Sequence, residues 1–286
     1  MREVLERGRR FIWENGRLLE RAIFTWRFME GPPGQVVAVL RAYQNADGGF
    51  GQALEPDVRA PDSQPLFVEF GLRTLYECGL RDGGLARAAC DFLARHADLQ
   101  RGIPTLFETF EDYPHAGHWS RQATQPAMDR LAGLVGLARW QGVVHPWLAA
   151  AEPLCLAYLL SERLDDAHSI QNAFCLAESM QDRAAAQGLF DKLAGDLAQA
   201  NFYCAEAPVD RYGLTPLQFA PAPSAYCRPI FRGDQIEAHL QDLAAQQESD
   251  GGWPVRWGPP GAAALLEWRA YGTLRALCVL RAYGKI

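Results

Sequence analysis

Four short stretches of this chain carry residues whose types and spacing suit chemistry. Glu55-Pro56-Asp57-Val58-Arg59 sets two carboxylates beside a guanidinium. Such a set could act as acid, as base or as partner of an anionic group, and the same residues would also make a local salt bridge in a proline-braced turn. Asp165-Asp166-Ala167-His168 stands where a helix is expected to start. There a carboxylate serves as N-cap and first-turn acids gain from the helix dipole. His115 and His118 lie three apart, followed by Trp119. Gly117 between them argues for a loop, and zinc would need a further ligand that the stretch does not hold. Glu267-Trp268-Arg269 puts an acid and a base inside an apolar stretch, as either a cavity wall or an ion pair between helices would. No P-loop, dinucleotide fingerprint, Gly-x-Ser-x-Gly elbow or Cys/His nucleophile pattern is present.

Composition narrows the classes. The chain has 286 residues, 49% of them hydrophobic and 22% charged, as in ordinary globular domains. Its net charge is −6 and it has no basic stripe beyond the arginine-rich first helix, so no nucleic acid partner is expected. The seven cysteines are scattered and form no Cys-x-x-Cys pair. That argues against a disulfide framework and a thiolate zinc site, and for a reducing compartment. No apolar run approaches the ~18 residues of a membrane span, and the first residues lack the apolar core of a signal peptide. The expectation is a cytoplasmic protein. Its N-terminal helix packs onto the domain in preference to a peripheral membrane contact.

The elements that must position these residues read as helices. Val4, Leu5, Phe11, Ile12, Leu18, Leu19, Ile23 and Trp26 recur at helical steps and predict one helix up to Pro32-Pro33-Gly34. Val36 to Gln44 is the next. Others are predicted from Leu66 to Cys78, Leu85 to His96, Met128 to Trp140, Trp147 to Leu160, Ile170 to Met180, Ala184 to Ala200, Ile236 to Gln246 and Leu265 to Tyr283. Ser63 and Thr124 are expected caps, each with proline two residues on. No period-two run of β-branched residues suggests a strand. The fold class is all-α.

Internal repeats set the architecture. Ser63-Gln64-Pro65-Leu66 recurs as Thr124-Gln125-Pro126-Ala127. Gln44-Asn45-Ala46-Asp47-Gly48-Gly49-Phe50 recurs as Gln247-Glu248-Ser249-Asp250-Gly251-Gly252-Trp253, with a degraded copy at Gln100-Arg101-Gly102-Ile103-Pro104. Each copy lies between one helix and the next, so the unit is a helix pair, and stacked pairs make a solenoid or a closed ring. The glycines permit a tight reversal, and the glutamine amide can satisfy open backbone groups at a helix end.

At these Gln-x-x-Asp-Gly-Gly-aromatic copies the chain resembles the terpenoid cyclase and protein prenyltransferase superfamily, with its QW-like repeats, and short bacterial prenyltransferase-like proteins. The resemblance implies one α/α toroid over residues 1–286, with inner and outer helices and an apolar central cavity. It implies an isoprenoid-handling protein of the terpene cyclase type, with a small hydrophobic molecule such as a prenyl diphosphate as partner and magnesium if that substrate is a diphosphate. The Asp-rich motifs of such enzymes are incomplete here: Arg163 precedes Asp165-Asp166 where one motif has aspartate, and Ser169 stands where the other ends in aspartate. The final repeat, Trp253 to Thr273, has neither Cys nor His, which weighs against the zinc site of the protein-prenylating enzymes.

In such a ring the loops 51–63, 104–124, 161–169, 201–233 and 253–264 would gather at one mouth, with 201–233 as lid or wall. The expected catalytic residues are Asp57, Glu55, Asp165, Asp166 and Glu267. The expected substrate-binding residues are Arg59, His118, Trp119, His168, Tyr212, Trp253, Trp257, Trp268 and Arg269. No protein-held metal is expected. Two other functions fit the same residues: a non-catalytic binder of a hydrophobic ligand, and a carbohydrate-active α/α barrel using Glu55, Asp57 and Asp112.

Overall fold

The computed structural model describes residues 2–286. The chain is all-α with many helix–helix contacts, and among the described residues the only β pairing is isolated bridges. Among the described residues twelve α-helices follow one another. In order they are α1 (Arg2–Asn15), α2 (Leu18–Phe28), α3 (Gly34–Arg41), α4 (Pro65–Cys78), α5 (Gly83–His96), α6 (Met128–Trp140), α7 (Pro146–Ser161), α8 (Ala167–Ser179), α9 (Arg183–Leu197), α10 (Pro216–Phe219), α11 (Gly233–Ala245) and α12 (Ala262–Ala282). No described helix is long and apolar enough to cross a membrane. The contacts divide the chain into two compact units: residues up to Val39 together with Phe202–Ile286, and Leu40–Asn201.

The Leu40–Asn201 unit is built of three helical hairpins. α4, α6 and α8 pack side by side as one layer, and α5, α7 and α9 back them as a second. The tightest packing is between α6 and α8. Its cause is a pair of glycines one turn apart. A Cβ on Gly133 would stand 2.5 Å from the Asn172 Cβ, and one on Gly136 would overlap the Leu176 amide nitrogen. Gln64 precedes α4 and is wholly buried. Its side-chain oxygen accepts from the Phe107 amide (2.7 Å) and its nitrogen donates to the Thr109 hydroxyl (3.0 Å), which fastens the 104–124 loop to the start of α4.

In the other unit α12 packs against α1, α2 and α11. The single N-terminal helix expected from the periodicity is two helices. Gly16 separates them, because a Cβ there would sit 2.6 Å from the Ile12 carbonyl oxygen. Glu20 then restarts the chain by accepting from the Arg17 amide at 3.0 Å and from its guanidinium. Ser63 and Thr124 are not the caps. Gln64 and Ala127 hold those positions, and the Ser63 hydroxyl donates to Asp47 Oδ1 (2.8 Å) instead. The 201–233 segment holds the one-turn helix α10, started by Thr215 and Gln218.

The two Asp-Gly-Gly turns are near-identical structures. Gln44 Nε2 donates to the carbonyls of Gly48 (2.9 Å) and Leu85 (3.0 Å), and Gln247 Nε2 to those of Gly251 and Val4 (both 3.0 Å). Asp47 and Asp250 each accept from the amide two residues on, at 3.0 Å. Gly48 and Gly251 have φ of 85° and 94°, and a Cβ on either would overlap a helix carbonyl, that of Ala88 in α5 or Arg7 in α1. The degraded copy keeps only the glycine turn: Gly102 has φ 94° and lies against the Ala127 carbonyl. α1 therefore stands to the second turn and α12 as α5 stands to the first turn and α4.

The glycine contacts yield a prediction of opposite signs. Gly136→Ala should destabilise by about 1–3 kcal/mol through overpacking of α6 against α8. Gly195→Ala in α9, where a new Cβ meets nothing within 4 Å, should stabilise by about 1 kcal/mol or less through helix propensity. Urea unfolding midpoints of the two variants against wild type measure both.

Candidate functional site

The first wall of the site is the segment after the first glycine turn. Gln52 and Ala53 both take positive φ, 58° and 54°. They fold the chain back so that their amides donate to the carbonyls of Pro61 (3.1 Å) and Ala60 (3.0 Å). Inside this loop Glu55 and Asp57 are 5% and 3% exposed. Glu55 Oε2 accepts from the Asp57 amide at 2.9 Å, so one carboxylate orders the backbone that presents the other.

The 104–124 loop is laid against this segment. The Ala116 amide donates to the Asp57 carbonyl (2.8 Å), and the Arg59 amide to that of Pro114 (2.9 Å). His118 Nε2 thereby lies 3.7 Å from Asp57 Oδ2. Trp119 packs beside His118 with ring centroids 4.8 Å apart, and its buried indole N–H has no protein acceptor.

The third wall is the start of α8. Asp166 Oδ1 accepts from the amides of His168 (2.9 Å) and Ser169 (3.0 Å), the N-cap geometry expected from the sequence. His168 Nδ1 is 3.4 Å from the same oxygen. Neighbouring α6 contributes the equivalent first turn. Asp129 accepts the Ser169 hydroxyl, and Arg130 Nη1 lies 3.5 Å from Glu69 Oε2 of α4.

Two aspartate–histidine pairs thus come together, Asp57 with His118 and Asp166 with His168. Burial lowers the His118 pKa; Asp57 opposes that shift, and the charge of His168 adds to it, leaving His118 below the usual histidine value. Burial alone would raise the Asp166 carboxyl. His168, the Ser169 amide and Arg130 outweigh it and hold Asp166 below the usual carboxylate range. On α7, burial raises the Tyr158 phenol, and Asp129, Glu162 and Asp165 raise it further.

Of the residues singled out from the sequence, Glu55, Asp57, His118, Trp119, Asp166 and His168 share this region of one unit. Asp165 is exposed, and its carbonyl accepts from the Asn201 amide at 2.7 Å. Glu267, Arg269 and the aromatic set belong to the other unit. There Arg269 pairs with Asp250 (2.8 Å) and Glu248, and donates to the Trp253 carbonyl (3.3 Å). Trp253 is buried, its indole N–H donating to the Leu243 carbonyl (2.8 Å). Arg269 and Trp253 are thus tied into the second glycine turn. Tyr212, Trp257, Trp268 and Tyr271 form a run of edge-to-face rings with centroids 5.1–5.4 Å apart, and Tyr212 is 39% exposed. Sequence reasoning missed Glu69, Asp129, Arg130, Tyr158 and Ser169. Asp129 and Arg130 hold the second and third helical positions of α6, as His168 and Ser169 do in α8; aligning the helix starts would have marked them.

The donor set does not fit a resident metal. Among the described residues no three His, Cys, Asp or Glu groups are placed to hold one, and His115 Nδ1 is engaged with the Tyr113 carbonyl at 2.8 Å. Neither zinc nor an aspartate-built magnesium site is met by these residues. What the cluster can do is move protons. Imidazole serves as a general acid and base, and here each ring stands beside a carboxylate that can hold it in place.

These features describe an all-α chain with many helix–helix contacts and with two Asp–His pairs in one of its units. Comparison with known proteins adds a likeness of fold. The chain is similar to a solved structure described as the crystal structure of a protein from Actinoplanes, with a TM-score of 0.55, 16% sequence identity and 99% of each chain covered. No protein-family model matches the chain, and no curated protein matches it.

Asp166 carries a pH prediction. Its folded-state pKa is lowered, so its contribution to stability is complete above the ordinary carboxylate value of about 3.9 and is lost as pH falls through the folded value. Asp166→Asn keeps a capping side chain but removes that term. Its deficit in urea midpoint should be present at neutral pH and shrink as pH is lowered past the folded pKa.

Proposed function

We propose that this chain is an isoprenoid-handling enzyme on the α/α-toroid scaffold of the terpenoid cyclases and prenyltransferases, with the Asp57–His118 and Asp166–His168 pairs as its proton-transfer site. The observation that carries the catalytic part is the convergence of the two pairs from three separate segments, two loops and a helix start. A merely structural role would not need two imidazoles whose charges oppose each other.

The scaffold part rests on the glycine turns and on helix order. In the Leu40–Asn201 unit α4, α6 and α8 form one layer and α5, α7 and α9 the other, the arrangement that inner and outer members of a toroid have. The N-terminal α1 takes, beside the second turn, the place that α5 takes beside the first.

The chemistry differs from alkene protonation by an aspartic acid. That step needs a carboxyl kept neutral by its surroundings, as an apolar site can do, whereas Asp166 is held ionised. The cluster suits reactions at oxygen instead: departure of a phosphate, diphosphate or ester oxygen from a prenyl carbon, with water or an alcohol as acceptor. Magnesium, where needed, would arrive with the diphosphate. A second reading is a carbohydrate substrate, favoured by the two buried carboxylates Glu55 and Asp57 in the loop beside half-exposed His118.

Incubation with geranyl and farnesyl diphosphate and the corresponding prenyl esters, and separately with a panel of oligosaccharides, tests the assignment by calorimetry and product analysis. Binding and turnover of a prenyl compound are expected. Asp57→Asn should retain binding and lose at least about tenfold in turnover, the smaller end of what a mispositioned acid–base group costs. Binding without turnover in wild type would leave a hydrophobic-ligand carrier, and cleavage of oligosaccharides alone would replace the isoprenoid assignment.

A further inference from the structure

Across the glycine face of α6, side chains of α4 and α8 meet. Tyr76 of α4 donates to Glu178 Oε2 of α8 at 2.5 Å, and Arg73 of α4 is hydrogen-bonded to Cys175 of α8. Glu69 stands one turn before Arg73 on α4. Its carboxylate lies 4.0 Å from Arg73 Nε and 3.5 Å from Arg130 Nη1 of α6. Along this wall Glu69, Phe70, Tyr76 and Glu77 of α4, and Gln171 and Glu178 of α8, are half-buried, whereas the faces of both helices turned away from it are enclosed.

Helical spacing puts Asn172 of α8 inside this frame. It follows Ser169, which is bonded to Asp129 of α6, by one turn, and precedes Cys175 by one turn. It lies across Gly133, which follows Arg130 by one turn on α6; a Cβ on Gly133 would stand 3.3 Å from Asn172 Nδ2. Asn172 is 1% exposed, and its Nδ2 has no acceptor among the described residues. A buried donor without an acceptor is costly, and native folds keep few of them. Leucine would fill nearly the same volume without that cost, so packing does not account for an amide here.

We propose that Asn172, Glu69 and Arg130 form a subsite for a hydroxyl group of a polyhydroxylated molecule, which serves as the alcohol acceptor of the reaction proposed above; only the acceptor role rests on that reading. The class follows from what each group exchanges. Asn172 Nδ2 needs an oxygen that accepts, and the Glu69 carboxylate needs a donor. A hydroxyl is both at once. A carboxylate cannot donate to Glu69 and is repelled by it, an ammonium cannot accept from Asn172, and a prenyl chain does neither. Glu77, Gln171 and Glu178 extend the same wall for further hydroxyls. One helical turn, about 5 Å, separates Asn172 from the α8 cap at Asp166 and His168, a span that a molecule the size of an inositol covers.

The experiment follows the Asn172 side-chain amide by proton–nitrogen NMR on the full chain, its cross-peaks assigned by their loss in Asn172→Leu. The probe is myo-inositol, and its fully O-methylated derivative is the control, which accepts hydrogen bonds but cannot donate them. The amide protons should shift saturably with myo-inositol and stay in place with the derivative. Glu69→Gln, which keeps the shape and removes the charge, should weaken the inositol titration by about tenfold or more, as loss of a hydrogen bond to a charged group does. An amide that inositol leaves unmoved overturns the subsite. An equal response to both probes, or a Glu69→Gln titration equal to wild type, overturns its assignment to a hydroxyl.

Stability gives an independent reading. Asn172→Leu should raise the urea midpoint, because it removes a buried donor that the fold leaves unbonded. A lowered midpoint would mean that the amide serves the fold itself, and the subsite would fall. Neither measurement uses a prenyl compound. Inositol binding without prenyl turnover would overturn the isoprenoid assignment and leave the subsite standing. Prenyl turnover with an unresponsive Asn172 amide would overturn the subsite alone.

Discussion

Two helices approach closely enough that one of them can carry no side chain at the contact. Gly133 and Gly136 of α6 lie against Asn172 and Leu176 of α8, and a Cβ at either position would collide with atoms of the neighbouring helix. Much of the site depends on this approach. It brings the first turns of the two helices side by side, so that Asp129 reaches Ser169 and Arg130 acts on Asp166. A helix pair at the common spacing of 8–10 Å would hold these groups further apart. Packing and electrostatics are one constraint here, because the short spacing also makes each unneutralised charge felt by its neighbours.

A second close approach, repeated, organises the helices into pairs. At Gly48 and Gly251 the chain passes against a helix carbonyl in a conformation that favours glycine, and a glutamine amide bonds both the turn and that helix. The amide answers the backbone groups left open where helices end and turn. The aspartate between them completes the turn and is then held by a side chain particular to each copy, Ser63 in one and Arg269 in the other. Arg269 also pairs with Glu248 and donates to the Trp253 carbonyl. Its guanidinium also lies over the Phe11 ring, 4.5 Å from the centroid, joining α12 to α1.

The paired Asp–His site takes its character from unequal burial. Asp57 is almost wholly enclosed while its partner His118 is half open, so the anion is fixed and the proton carrier is accessible. Asp166 is bound by two amides, which leaves its charge in place and directs it at His168. Fixed carboxylates with accessible imidazoles are suited to proton exchange with a ligand or solvent.

The all-α class, most helix positions, the glycine-turn staples and the capping role of Asp166 were legible along the chain, because periodicity, glycine pairs and N-cap chemistry are local properties. So were Asp57, His118 and His168 as residues worth attention. The break at Gly16 was hidden because the apolar spacing continues across it, and only the contact of Gly16 with Ile12 shows why the helix stops. The caps at Ser63 and Thr124 misread for a related reason: a hydroxyl next to a helix start looks the same in sequence whether it bonds the helix or, as Ser63 does, an aspartate sixteen residues earlier. The pairing of Asp57 with His118, and of Asp129 with Ser169, lay beyond sequence altogether. It arises where two loops share backbone hydrogen bonds and two glycine-faced helices touch, and such contacts between distant segments are set by tertiary packing alone.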